Sequence, residues 1–389
     1  YFDDASKLDE YELGKYMLGL NAWTKPASGG LMWKRKIELK YAILKPLVSI
    51  AIAYVIAILI IAVSAKNPAE AIGIFIVGPF TSVRTFANVI ETMIPFMFTG
   101  LAIVIMNRAS QFNLIGEGVF FLSGAVAAYI AINTNLPPVI SQIVIIFASG
   151  LVVAVIALVP AVLKVRFKAN ELVSSIMMNY VLLYLGLYLL NYHMRDMAAG
   201  YNASYFIPDV SKLPVILSGT KIHFGLFIAL GAFALISYLI FKTKLGYEID
   251  LVGQNQNFAK YSGVKVAGII ILTQVIGGFL AGVGGSVEIL GYYSRFQWET
   301  LTGRGFDGVV TATVARRNPL IVPLTAFFLA YMRTGASIVS RRADIPVEFV
   351  NVIQAIVLVL VGAQLLLESF RRKEIVAQSK KQLSAEVNA

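Results

Sequence analysis

Residues Val139–Leu163 read VISQIVIIFASGLVVAVIALVPAVL, and none of them carries a charge. A helix needs about 20 predominantly apolar residues to cross the roughly 30 Å hydrocarbon core of a bilayer. This run is long enough, and the chain repeats the pattern on either side of it. Further apolar stretches lie at Leu47–Ala65, Val89–Met106, Leu114–Ile132, Leu172–Asn191, Phe224–Phe241, Ala267–Leu290, Gly308–Val314, Leu320–Ile338 and Phe349–Phe370. The expected fold is all-α, a polytopic membrane protein of about ten transmembrane helices.

Composition agrees with that reading. Of 389 residues, 58% are hydrophobic and 14% charged, and the mean hydropathy is +0.74. A soluble domain averages about 45–50% apolar and about 25% charged, so a soluble fold of this chain would expose large apolar patches. The absence of cysteine excludes a disulfide framework, a thiolate metal site and a cysteine nucleophile. His193 and His223 share no metal-binding spacing and read as polar residues at a membrane–water boundary.

The net charge of +11 comes from short basic clusters between apolar spans, which fits topology determinants better than nucleic acid binding. Alternating ten spans from a cytoplasmic N-terminus puts Arg108, Lys164/Arg166/Lys168, Lys242/Lys244/Lys260/Lys265, Arg316/Arg317 and Arg371/Arg372/Lys373 inside. Arg341/Arg342 is the one outward pair against the rule. Both termini are then cytoplasmic. Residues 1–31 are acidic and polar and contain no span, so they read as a soluble N-terminal segment. The membrane domain is expected over 32–372, beginning near Met32 and the basic run Lys34, Arg35 and Lys36. Residues 373–389 form a cytoplasmic tail.

Polar groups at membrane depth are costly and point to function. Asn113-Leu-Ile-Gly-Glu-Gly118 opens the third span with an acid between two glycines. One reading is a helix break beside a translocation path. The other is a glycine-rich turn with Glu117 at a helix N-terminus, where the dipole favours an anion. Gly303-Arg-Gly-Phe-Asp-Gly308 opens the eighth span in the same style, and that span is too short to cross alone. The two segments fit matching broken helices in two related halves, as inverted repeats provide.

Ser175 and Asn179 lie one turn apart on one helix face, either holding helices together or lining a polar path. Gly278 and Gly282 form a small-xxx-small pair suited to close helix packing. No GxxxxGK[ST], HExxH or GxSxG pattern occurs. The chain is therefore expected to be a non-enzyme without a cofactor of its own, and any uphill transport would draw on an ion gradient or a partner.

Four stretches together resemble the permease subunit of bacterial ABC importers, in the group serving nucleosides, simple sugars and branched-chain amino acids. Phe112-Asn-Leu-Ile-Gly-Glu-Gly118 resembles FNIGxEGQ. Ala169-Asn-Glu-Leu-Val-Ser-Ser-Ile-Met-Met-Asn-Tyr180 is similar to the nucleoside-branch ANEVVSTIMLNY. Gly246-Tyr-Glu-Ile-Asp-Leu-Val-Gly-Gln-Asn255, with Ala259-Lys-Tyr-Ser-Gly263, resembles a cytoplasmic GxxxRAVGxNPxAARYAGI loop. Gly303-Arg-Gly-Phe-Asp-Gly308, with Asn318-Pro319 beyond, resembles GYGFDGIAVALLGxxNP. Ile115, Val119, Gln256 and Ala315 depart from these patterns. Tyr11–Gly19 is similar to the closing residues of the ATPase partner, through fusion or a gene-boundary artefact.

The resemblance implies a bacterial inner-membrane importer for nucleosides, with a monosaccharide permease as the alternative and an ion-coupled carrier as a rival class. It implies two ATPase subunits holding ATP and Mg, a second permease subunit, and an extracellular binding protein or lipoprotein, with lipid around the chain and no nucleic acid. Asn113, Glu117, Asn179, Phe306 and Asp307 are the expected path residues. The loop carrying Gly246, Gly253, Asn255, Ala259, Tyr261 and Gly263 is expected to dock on the ATPase.

Overall fold

A backbone N–H or C=O in hydrocarbon finds no water, so each apolar run must satisfy its own peptide groups as a helix. A computed structural model describes residues 51, 54–63, 65 and 67–342. These residues all belong to one compact unit. The expectations for 1–31, for much of the first span, for the tenth span and for 373–389 lie outside the described residues. Among the described residues the fold is all-helical, with two isolated β-bridges and no strand.

Seven helical segments among the described residues are long and apolar enough to cross a membrane. They comprise α3 (Val83–Arg108), α4 (Gly116–Asn133), α5 with α6 (Pro138–Ile156 and Leu158–Phe167), and α7 (Glu171–Leu189, extended by a π-turn to Met194). The others are α8 (Gly225–Lys242), α11 (Val266–Tyr292) and α13 (Val322–Arg342, preceded by a 3₁₀ turn at Pro319–Ile321).

The remainder of the first expected span is the short apolar helix α1 (Tyr54–Val63), and the sequence reading missed α2 (Pro68–Val77). The eighth expected span is α12 (Arg304–Val314), whose 11 residues rise only about 16 Å at about 1.5 Å per residue. The described residues thus contain seven candidate spans, the half-helix α12 and the short apolar helices α1 and α2.

The centre is α11, which packs on α3, α4 and α5. Its glycines set the spacing. A Cβ on Gly282 would lie 2.3 Å from the Val153 side chain, one on Gly278 2.6 Å from the Ala157 methyl, and one on Gly285 2.1 Å from the Phe120 carbonyl oxygen. The Gly278–Gly282 pair thus seats α11 against α5 and its junction with α6, as small residues do when dispersion must replace the hydrophobic effect. Outer helices expose apolar side chains such as Val155, Tyr184 and Leu235, the surface a bilayer requires.

The polar segment between α7 and α8 folds over one end of α11. The Ser204, Ile207 and Leu213 N–H groups donate to the Phe296, Ser294 and Leu290 carbonyls. Arg295 pairs with Asp196 at 3.4 Å and lies 3.6 Å from the Phe206 ring centroid. His223 closes this cap, buried against Gly225 and Gly291, with Nδ1 accepting the Gly225 N–H at 3.2 Å.

Two consequences are measurable. Gly285→Ala drives a methyl into backbone and is expected to abolish a monodisperse peak in detergent, whereas Gly231→Ala, with nothing within 4 Å, leaves it intact. Burial lowers the His223 pKa to about 4 against an unfolded value of about 6.5. The unfolded state therefore binds the extra proton first. Stability is full above that unfolded value and declines as pH falls towards about 4. Melting temperatures across this window should fall, and more steeply than in His223→Gln.

Candidate functional site

Breaking a helix inside a membrane leaves peptide groups without partners, and the structure shows how this chain supplies them. Between α3 and α4 the backbone leaves the helical path over residues 109–115. The Phe112 N–H donates to Glu171 Oε1 at 2.7 Å, that of Leu114 to Ser175 Oγ at 3.1 Å, and that of Gly118 to Asn179 Oδ1 at 2.9 Å. Asn179 Nδ2 returns a bond to the Leu114 carbonyl at 2.9 Å. Asn113 Oδ1 accepts the Ile115 N–H at 2.8 Å, and Asn113 Nδ2 donates to Gln274 on α11 at 2.7 Å.

The 169–180 stretch is thus a clamp. Asn170 caps α7, Glu171 also pairs with Lys164, and Ser175 and Asn179 hold the break on α4. Ser175 and Asn179 join segments, as one of the two sequence readings held.

Glu117 occupies the first turn of α4 and is 1% exposed. Its carboxylate accepts the Gly303, Gly305 and Phe306 N–H groups at 2.5, 2.6 and 3.3 Å, and the Thr302 hydroxyl at 3.3 Å. Those amides begin α12, so one carboxylate lies at the positive ends of two helices, where the dipoles favour an anion. The approach needs glycine. Gly303 has φ +77°, in the left-handed region, and a Cβ on Gly305 would sit 2.3 Å from the Glu117 backbone nitrogen.

Asp307 is buried on α12 and pairs with Arg333 of α13. Phe306 is half-exposed. Glu117, Phe306 and Asp307 therefore meet at one junction, while Asn113 and Asn179 stand behind it and brace α4.

Beside the junction lies a polar chamber of about 590 Å³ whose walls include Arg84, Glu91, Lys221, Arg304, Arg333 and Arg341. An adjoining recess of about 110 Å³ includes Glu91, Arg304, His223 and Glu288. Arg304 donates to Glu288 Oε1 at 3.0 Å, leaving the buried Oε2 with no hydrogen-bond partner among the described residues. The Arg304 and Arg333 guanidinium carbons lie 5.7 and 5.8 Å from the Phe96 ring centroid. Such an arrangement can hold a hydroxyl-rich solute through charge-assisted hydrogen bonds. Sequence reasoning missed Glu91, Glu288 and Arg333, although each is an ionisable residue inside an apolar run, and that signal alone marks a candidate.

At the opposite ends of the spans, α9 (Lys244–Gln254) and α10 (Gln256–Tyr261) form the expected loop. Asn255 caps α10 by accepting the Asn257 and Phe258 N–H groups, both at 3.0 Å. Gly246 and Gly253 press on the Ile240 and Arg108 carbonyls, and Gly263 turns the chain at φ +82°. Asp250 pairs with Arg108 at 2.9 Å. Ala259 is buried, and Tyr261 is 90% exposed.

Residues 85–362 match the family model described as the branched-chain amino acid transport system / permease component. The glucose ABC transporter permease protein of Haloferax volcanii is 28% identical over 302 residues, covering 75% of this chain and 80% of that protein. The guanosine ABC transporter permease protein of Bacillus subtilis is 26% identical over 324 residues, covering 82% and 93%. A nucleoside ABC transporter permease protein of Lactococcus lactis is 24% identical over 339 residues, covering 84% and 92%. No solved structure matches the chain.

Replacing Glu117 tests the junction. Glu117→Ala leaves the Gly303, Gly305 and Phe306 amides without their acceptor, each at about 1–3 kcal/mol when buried. Thermal unfolding in detergent should show Glu117→Ala losing several kcal/mol of stability and Glu117→Gln, which keeps one acceptor oxygen, losing less. An Ala variant as stable as the parent contradicts the assignment.

Proposed function

Since the chain belongs to the branched-chain amino acid transport system permease family and is a multi-pass membrane permease subunit, we propose that it carries nucleosides inward in an ATP-driven importer. One observation carries this reading: a polar chamber whose walls include Glu91 of α3, Arg333 of α13 and Arg304, the first residue of the half-helix α12. Intramembrane ionisable residues and discontinuous helices mark substrate pathways in transporters. Glu91, on the chamber wall, offers an acceptor to ribose hydroxyls. The Bacillus and Lactococcus relatives are named for guanosine and for nucleosides, which supports that solute class here.

In this reading Asn113, Glu117, Asn179, Phe306 and Asp307 form or brace the path. Glu117 joins two broken helices of related, oppositely oriented halves. The segment with Gly246, Gly253, Asn255, Ala259, Tyr261 and Gly263 docks on an ATPase subunit that holds ATP and Mg. Asn255 sets the start of α10, and the exposed Tyr261 faces the partner. A second permease subunit completes the path, and an extracellular binding protein delivers solute. The chain sits in the bacterial inner membrane with both termini cytoplasmic and residues 32–372 as its membrane domain. ATP binding opens the path outward and hydrolysis resets it, which requires the ligands to bind the two states with different free energies.

The glucose permease of Haloferax favours a second reading, a monosaccharide as solute. The test is radiolabelled uptake into vesicles holding the permease with its ATPase and binding protein, comparing guanosine and adenosine with ribose, galactose and glucose. Guanosine or adenosine uptake that requires internal ATP is the expected result. ATP-dependent sugar uptake alone overturns the solute class, and uptake that persists with a hydrolysis-dead ATPase overturns the importer reading in favour of an ion-coupled carrier.

A further inference from the structure

A second cavity lies away from the chamber, between the end of α6, the start of α11 and the short helix α10. It has a volume of about 620 Å³, and Lys164, Lys168, Lys260 and Lys265 stand around it. Lys164 is already neutralised by Glu171. Lys168, Lys260 and Lys265 are exposed and make no ion pair with another described residue. Three lysines without an ion pair among the described residues therefore line one recess.

Their placement is set by the backbone. Lys168 ends α6 in a left-handed conformation, φ 53°, with its N–H donating to the Leu163 carbonyl. Lys260 is on the last turn of α10, and Lys265 immediately precedes α11.

Apart from Gln256, the rest of the lining is apolar and includes Val165, Val264, Val266, Ala267 and Ile270. The recess falls where two membrane spans end, one closing at Phe167 and the other opening at Val266. A ligand fitting such a place carries negative charge at one end and hydrocarbon at the other, at the depth where a bilayer changes from headgroup to acyl chain. Basic pockets between membrane helices take lipid phosphates on this principle. A free anion would match the lysines but leave the apolar wall wet.

We propose that this recess is a binding site for the phosphate headgroup of an anionic phospholipid, with its glycerol and upper acyl carbons against Val264, Val266 and Ile270. Because Lys260 and Gln256 both belong to α10, an occupied site ties this helix to the end of α6. The site is independent of the transported solute, and it shares α10 with the docking reading.

The full-length chain, purified in detergent, is titrated with phosphatidylglycerol and, separately, with phosphatidylcholine, and bound lipid is counted by native mass spectrometry. The parent should retain phosphatidylglycerol preferentially. The variant Lys168→Gln/Lys260→Gln/Lys265→Gln should bind it at least tenfold more weakly while keeping the parent's melting temperature. A control variant, Arg166→Gln/Lys242→Gln/Lys244→Gln, loses three positive charges outside the recess and should bind like the parent.

Equal weakening in the control reduces the effect to general surface charge and overturns the site. Displacement of the lipid by millimolar inorganic phosphate overturns the lipid source in favour of a free anion. Displacement by the ATPase subunit assigns the surface to that protein instead. Equal retention of the two lipids also sinks the proposal.

Discussion

A peptide group surrounded by hydrocarbon must find its hydrogen-bond partner in the protein, and the rest of this structure follows from that constraint. Regular helices meet it internally. The chain departs from regularity before α4 and before α12, and in both places side chains from elsewhere take over. Glu171, Ser175 and Asn179 serve the first break from α7, and Glu117 serves the second from α4. The breaks are therefore not loose points. Each is fixed by charge-assisted or amide bonds that hold a defined backbone shape.

The same constraint explains the packing around them. Side chains that replace water as backbone partners have to come close, and close approach requires neighbours without bulk. Gly305 lets α12 reach Glu117, and Gly285 lets α11 touch the α4 backbone. Charges admitted to this interior are matched in the same economical way, Asp307 by Arg333 and Glu288 by Arg304, with Phe96 beside both guanidiniums. Stability and polarity are thus arranged around one junction, with a chamber of about 590 Å³ beside it.

Much of this was legible in the sequence, though unevenly. Apolar length located the spans at 89–106, 114–132, 172–191 and 267–290, because lipid imposes a length and a charge limit that few other structures share. Glycine beside an acid marked both breaks. The partners of those breaks were harder to see. That Glu117 bonds residues 303–306 depends on a tertiary meeting that no local pattern encodes, and the short helix α2 lacks the length by which a span is recognised. Glu91, Glu288 and Arg333 were visible as charges in apolar runs, yet only the fold brings them to one cavity. Asn179 showed its helix face in the sequence but not its partners; its bonds to Gly118 and Leu114 tie α7 to α4.

The bond between Glu117 and the start of α12 spans 186 to 189 residues of chain. A polypeptide is made and inserted from its N-terminus, and early segments are in place before later ones emerge. α4 and its carboxylate are accordingly made while Gly303 is still to be synthesised. When α12 arrives it is too short to cross and carries unpaired amides at its leading end, so it cannot settle by itself. The order of synthesis places the acceptor residue in the chain before the amides it receives, so α12 joins helices that were made earlier.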